Sequence, residues 1–276
     1  MRKDWVSAEE AAELITNGNG RGIKIAIIDS GVDPSHPALA GMNLMDDLAV
    51  VNDGLQLKIC PGEGRDVFGH GTAVAGVIRE IAPEASIGSI RVLDSDLASR
   101  TQTICAGVQR AIDLGYNILN CSFGCSIPEH LPQYKRWVDD AYLKDIHVVA
   151  ACNNYDFTKE EWPGYFPSVM TVNMARTEQL LTFFYKKGHL VEFAARGVDV
   201  RVAWKDGQVK EVSGSSFAAP RVAALLARLL SEAPDLSPIA AKALFRKLAR
   251  PWGKEIDAAN VAHDETDDAH NSTGSE

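Results

Sequence analysis

Long apolar runs are missing from this chain. Nowhere do about 18 consecutive apolar residues occur, the length that a membrane-crossing helix needs. The amino terminus, MRKDWVSAEEAAELI, is too charged after its first residues to hold the apolar centre of an export signal. A soluble cytoplasmic protein with no membrane partner is the expectation. Cysteine is sparse and odd in number: Cys60, Cys105, Cys121, Cys125 and Cys152, with no CxxC pair. Cys105, Cys121 and Cys152 lie in apolar segments, where a free thiol behaves as a small hydrophobe, and a reducing compartment suits them. Cys121 and Cys125 have no His or Cys at metal-ligand spacing around them, so no metal is expected there. Basic residues are outnumbered, 28 Lys and Arg against 37 Asp and Glu, for a net charge of −9. The last fourteen residues, HDETDDAHNSTGSE, hold five acids and no Lys or Arg. Such a tail is expected to be disordered, and the charge argues against a nucleic-acid partner. Internal repeats and linkers are also lacking. The expected organisation is a catalytic domain over 1–250 and an acidic tail over 251–276.

Four apolar runs of strand length are present: Ile23–Ile28, Ile87–Leu93, Ile118–Cys121 and Ile146–Cys152. They are continuous, not alternating, as strands buried on both faces are. Helical patterns lie between them, with Ile104, Val108, Ala111 and Ile112 on one face of 101–114, and Tyr134, Trp137, Val138, Ala141 and Tyr142 on one face of 132–144. Strands alternating with helices predict an α/β fold with a mostly parallel sheet between helical layers, and functional groups at the carboxyl ends of the strands. From about residue 168 the segments shorten to Val169–Val172, Val191–Ala194 and Val209–Val212, which read as edge strands or hairpins. Helices over 216–231 and 237–248 follow, the second opened by Ser237-Pro238.

Three motifs carry chemistry. The first strand ends in Asp29-Ser30-Gly31-Val32-Asp33, which puts a carboxylate at a strand terminus. A lone acid there is weak evidence, because Asp is common in turns. Gly69-His70-Gly71-Thr72 opens the apolar helical stretch 73–81, and two glycines flanking a His allow close backbone approach that a core histidine does not need. Gly214-Ser215-Ser216-Phe217-Ala218-Ala219-Pro220 runs into an almost uniformly apolar helix, with Pro220 in the first turn where its missing N–H costs nothing. An acid, an imidazole and a hydroxyl at strand ends and helix starts are what nucleophilic acyl transfer requires. In that chemistry Ser216 is the nucleophile, His70 the proton carrier and Asp29 the group that orients the imidazole. The Ser216 backbone N–H, at a helix amino terminus, can meet an oxyanion.

IAIIDSGVD, GHGTAVAG and GSSFAAPRVAALLA resemble the three signatures of the subtilisin-like (subtilase) serine peptidases, in that family's order Asp, His, Ser, across roughly residues 20–250. The resemblance implies a three-layer subtilisin-like fold, no cofactor, and a serine endopeptidase acting on peptide or protein substrates. Val148-Val149-Ala150-Ala151-Cys152-Asn153 is similar to the segment whose Asn completes the oxyanion hole. This nominates Asn153; its neighbour Asn154 is the rival, and the strand register favours Asn153. Asn120-Cys121-Ser122-Phe123-Gly124 resembles the segment that lines the substrate cleft, so Ser122, Phe123 and Gly124 are expected to pair with an extended peptide by strand addition. Cys152 stands where the family usually has Gly and is expected to narrow the first specificity pocket. Glu161, just before the turn Trp162-Pro163-Gly164, falls at the base of that pocket, where it would favour Lys or Arg before the cleaved bond. A solvated loop carboxylate is the bland alternative.

The connection over 79–86 is too short for the family's inserted calcium loop, so the usual tight calcium site is expected to be absent. Asp29 is only 28 positions from Met1, so either the chain folds unaided or a prosegment has been removed. Competing readings are a transpeptidase or macrocyclase of the same fold, which lacks support from any inserted lid, and a non-catalytic peptide-binding module, against which the complete set of catalytic groups stands. The glycines of GNGRG at 18–22 precede the first strand, so they do not form a nucleotide cradle. An active peptidase inside a cell needs restraint, and an inhibitor or regulatory partner is one expected source.

Overall fold

The structure is a computed structural model that describes residues 5–54, 56–253 and 256. The acidic segment expected to be disordered lies outside the described residues, except for 251–253 and 256. In chain order the elements are α1 (Ala8–Asn17), β1 (Lys24–Asp29), β2 (Asp47–Asn52), β3 (Leu57–Pro61), α2 (His70–Ile81), β4 (Ser86–Arg91), α3 (Thr101–Asp113), β5 (Ile118–Cys121), α4 (Leu131–Leu143) and β6 (His147–Ala151). They continue with β7 (Met170–Ala175), β8 (Phe183–Tyr185), β9 (Phe193–Arg196), β10 (Val200–Trp204), β11 (Gln208–Val212), α5 (Ser215–Glu232), α6 (Pro238–Leu248) and β12 (Arg250–Pro251).

Ten strands form one sheet in the order β12-β8-β9-β7-β6-β5-β1-β4-β2-β3. All neighbours are parallel except β2 with β3 and β8 with β9. The continuous apolar runs have a simple cause. Ile25 and Ile27 of β1 enter one core with residues of α1, α2, α5 and α6, while Ala26 and Ile28 enter a second core with α3 and α4. A strand covered on both faces has no solvent side to make polar. This is the α/β architecture the sequence implied, with the ends of β1, β5 and β6 opening onto one edge.

Three features differ from expectation. β7 is not an edge strand: it lies between β6 and β9 and is buried throughout. The β2–β3 hairpin, whose outer strand is largely exposed, was not anticipated. Helix α1 was also unanticipated, although Ser7 caps it by accepting from the Glu10 N–H at 3.1 Å, a serine-to-glutamate spacing that marks helix starts. Among the described residues β10 and β11 form a separate hairpin and β8 and β9 an antiparallel pair within the main sheet, both in the half where hairpins were foreseen. Among the described residues no helix is long and apolar enough to cross a membrane.

Two polar clusters tie distant segments together. From α5, the Arg228 guanidinium donates to the Ile15, Thr16 and Ile81 carbonyls at 2.5, 2.6 and 2.7 Å, closing the ends of α1 and α2. From α6, Lys242 donates to the Pro167 and Val169 carbonyls at 2.7 and 2.6 Å and pairs with Glu192 at 2.5 Å. Glu192 also receives Arg246 at 2.7 Å. Lys242 and Glu192 are both buried, so neither charge is tolerable without the other. Glu192→Ala should therefore lower unfolding free energy by about 3–5 kcal/mol, read from urea midpoints. A loss below about 1 kcal/mol would show that Arg246 and Lys242 find other compensation.

Candidate active site

Asp29 ends β1 and is 1% exposed. Both of its carboxylate oxygens lie 2.9 Å from Nδ1 of His70, the first residue of α2, and the Ser30 N–H donates to Oδ1 at 2.7 Å. The flanking glycines are needed for this approach. Gly69 has φ 117°, and a Cβ on it would sit 2.4 Å from the Trp204 indole nitrogen. A Cβ on Gly71 would sit 2.0 Å from the Gly31 carbonyl oxygen. The Phe217 ring covers the imidazole, with centroids 5.1 Å apart.

Burial works against the imidazolium. The charge of Asp29, its hydrogen bond and the charge of Asp66 outweigh that effect and hold the His70 pKa above its ordinary value. Nδ1–H is committed to Asp29, which leaves Nε2 as the nitrogen able to take a proton.

Ser216 is the second residue of α5, half-buried, and shares a cleft of about 550 Å³ with His70, Asn154, Phe68, Trp204 and Phe217. Its neighbour Ser215 is fully buried, and the Ser215 hydroxyl donates to the Cys152 carbonyl at 2.7 Å. Two adjacent serines thus face opposite ways, and only Ser216 lines the cleft. The Ser216 carbonyl accepts from Ser122 Oγ at 3.2 Å, and Ser122 Oγ in turn accepts from Asn120 at 2.9 Å.

The two asparagines are distributed differently from the expectation. The structure turns Asn153 away from the cleft. Its amide donates to Glu161 at 2.9 Å, and its oxygen accepts the Tyr155 and Asp156 N–H groups. Asn154 faces the cleft, its side-chain oxygen accepting the Ser215 N–H at 2.8 Å, which leaves the amide N–H groups as donors beside Ser216. The chain leaves the sheet after Ala151, so strand alternation cannot be carried forward to these positions.

Cys152 directly follows β6. Its sulfur is buried 3.5 Å from the Asn173 side-chain oxygen, and burial pushes the thiol well above its usual pKa range. The Asn153 amide meets the Glu161 carboxylate directly, and the Glu161 charge adds to the rise of the Cys152 thiol. Glu161 lies between Asn153 and Gly124, where a Cβ added to Gly124 would sit 2.6 Å from its carboxylate. Cys125 and Trp162 exchange two backbone hydrogen bonds of 2.9 Å, which close the Ser122–Cys125 segment onto the Glu161 turn. Phe123 and Gly124 line a second groove of about 690 Å³ that continues past Leu97. Residues 82–85 alone join α2 to β4. Among the described residues no group of three or more His, Cys, Asp or Glu side chains could hold a metal ion.

An acid, an imidazole, a hydroxyl and an amide thus converge where β1, β6, α2 and α5 meet. That set can deprotonate a hydroxyl and stabilise negative charge beside it. A family model described as Peptidase_S8, the subtilase family, matches residues 20–272. Subtilisin DY of Bacillus licheniformis is 30% identical over 231 residues, covering 79% of this chain and 80% of that protein. Thermitase of Thermoactinomyces vulgaris is 31% identical over 232 residues, covering 80% of each. An intracellular serine protease of Paenibacillus polymyxa is 31% identical over 237 residues, covering 79% of this chain and 69% of its own. Of the solved structures, a cold adapted subtilisin-like serine proteinase superimposes with a TM-score of 0.69 at 26% identity, covering 84% of this chain and 83% of its own. Sphericase does so with a TM-score of 0.70 at 25% identity, covering 83% of each.

A fluorophosphonate should label Ser216 and leave Ser215 untouched, because the Ser215 hydroxyl is already committed. Neutral His70 is the form that accepts a proton, so labelling should fall with decreasing pH through a midpoint above 6.5, the ordinary imidazole value. Peptide mapping by mass spectrometry across pH checks both; an adduct on Ser215, or a midpoint below that value, contradicts the assignment.

Proposed function

The chain belongs to the subtilase family and is a subtilisin-like serine peptidase acting on peptides or proteins, and from that premise we propose that it works through an Asp29–His70–Ser216 triad and an acyl-enzyme. The observation that carries this reading is the pairing of buried Asp29 with His70 Nδ1 beside a cleft that also holds Ser216. Ser216 Oγ attacks the scissile carbonyl carbon while His70 Nε2 takes its proton. The resulting oxyanion meets the Ser216 backbone N–H and the Asn154 amide. Collapse breaks the C–N bond, His70 returns the proton to the leaving amine, and water then cleaves the ester by the same steps in reverse. Asp29 stays ionised and stabilises the imidazolium.

The roles of the two asparagines follow from where their amides point. Asn154→Ala should lower kcat by about 10²–10³ with little change in KM, a magnitude established on this family itself. Asn153→Ala should instead leave kcat near the parent value and act on KM, because it removes a partner of Glu161. Steady-state kinetics of the two variants decide; a large kcat loss in Asn153→Ala alone would restore the other assignment.

For the first specificity pocket we propose a preference for Lys or Arg. Glu161 has no ion-pair partner among the described residues, and it sits against Gly124 at the turn that closes the cleft wall. A basic substrate side chain would give it a charge-assisted hydrogen bond of about 1.5–3 kcal/mol when desolvated. Five free cysteines suit a reducing compartment, and an intracellular serine protease is among the relatives, which together support a cytoplasmic site of action. With matched Arg and Leu substrates, Glu161→Gln should reduce the ratio of kcat/KM values by roughly tenfold or more. An unchanged ratio would show that this carboxylate does not read the substrate.

A further inference from the structure

Asp66 is a buried carboxylate to which neither the triad nor the specificity pocket assigns a task. Among the described residues no Lys or Arg forms an ion pair with it, yet it accepts five hydrogen bonds. Oδ1 accepts from Ser30 Oγ at 2.8 Å, Phe68 N–H at 3.0 Å and Gly69 N–H at 2.6 Å. Oδ2 accepts from Thr72 N–H at 2.8 Å and Thr72 Oγ1 at 2.6 Å. All five partners donate, the complement of a carboxylate's acceptors.

The donors are not scattered. Phe68, Gly69 and Thr72 bracket His70 in sequence, so the backbone on both sides of the imidazole is anchored to this one side chain. Gly69 caps α2 without a side-chain bond of its own, and Asp66 meets the free N–H groups of that helix start in its place. The remaining donor, Ser30, directly follows Asp29. Its N–H holds Asp29 Oδ1, and its hydroxyl, besides donating to Asp66, accepts the Gly71 N–H at 3.2 Å. A single carboxylate is therefore wired to the strand end that carries Asp29 and to the helix start that carries His70.

We propose that Asp66 is a positioning residue for peptide hydrolysis, which sets the Asp29–His70 geometry and places a second negative charge near the imidazole. This rests on the triad reading above. Its charge acts with that of Asp29 in holding the His70 pKa up against burial. The other groups facing His70 are few. Phe217 and Ser216 come from α5; Asp199 and Glu211 line the same cleft from the β10–β11 side; Cys121 stands near Asp29 at the end of β5. Lys205 donates to the Val67 carbonyl at 3.2 Å, one residue after Asp66, and brings a cation to the surroundings of that loop.

The test uses two variants that separate charge from geometry, each with a pH profile of kcat/KM and an unfolding curve. Asp66→Asn keeps the shape, removes the charge and faces some of the donors with an NH₂ group. It should lower kcat by about tenfold or more, as misplacement of a catalytic pair does. Loss of a nearby negative charge disfavours the imidazolium, so its acid limb should move to lower pH by roughly half a unit or more. Ser30→Ala cuts the link between Asp66 and the Asp29 strand but keeps the charge, so kcat should fall with the acid limb unmoved. An acid limb unmoved in Asp66→Asn, or a parent-like kcat in Ser30→Ala, overturns the proposal. Should Asp66→Asn not fold, Ser30→Ala decides alone by its kcat. Failure of the triad reading is a separate result, since it would appear as a parent enzyme whose Ser216 does not react with fluorophosphonate.

Discussion

A carboxylate almost sealed from water is the constraint around which this molecule is arranged. Taking an ion such as Asp29 out of water costs several kcal/mol unless donors replace the lost hydration. His70 and the Ser30 N–H are those donors. The consequence reaches well beyond the pair. Helix α2 must begin where β1 ends, its first residue must be the histidine, and the residues around it must have almost no side chain. The Trp204 indole over Gly69 and the Gly31 carbonyl against Gly71 show how little space remains. The same requirement gives Asp66 its cage, because a helix start forced into that position leaves N–H groups that need an acceptor.

The cleft walls depend on a second chain of contacts. Cys125 and Trp162 join the substrate-facing segment to the Glu161 turn, and a few residues later Lys242 grips the Pro167 and Val169 carbonyls. The Glu161 turn is in this way coupled to α6, whose own anchor is the buried Glu192. Polar contacts of this kind add directional hold where apolar packing alone would let a wall slide.

Much of this was legible in the sequence, for reasons that differ by element. The central strands were readable because burial on both faces leaves unbroken apolar runs. Asp29, His70 and Ser216 were readable because each ends or starts such an element. Strand β7 was misjudged because Thr171 and Asn173 interrupt its apolar pattern, although both are buried and take local hydrogen bonds. The placement of the two asparagines was not legible for a different reason. Asn153 and Asn154 are chemically identical, and what separates them is the exit of the chain from the sheet after Ala151, which sends one amide to Glu161 and the other to the start of α5. Asp66 was missed although four of its five donors lie within six residues of it, because what ties it to Asp29 is the fifth, Ser30, which is distant in sequence.

Arg228 gives the assembly a direction in time. Its guanidinium closes α1 and α2 from α5, more than two hundred positions after Ile15, and Ser216 opens that same helix. Contacts between segments so far apart in sequence form slowly and late. A nascent chain that has emerged only through β11 thus holds Asp29 and His70 without Ser216 or the helix that locks them, and hydrolytic competence arrives as a threshold once α5 has been made, not by degrees.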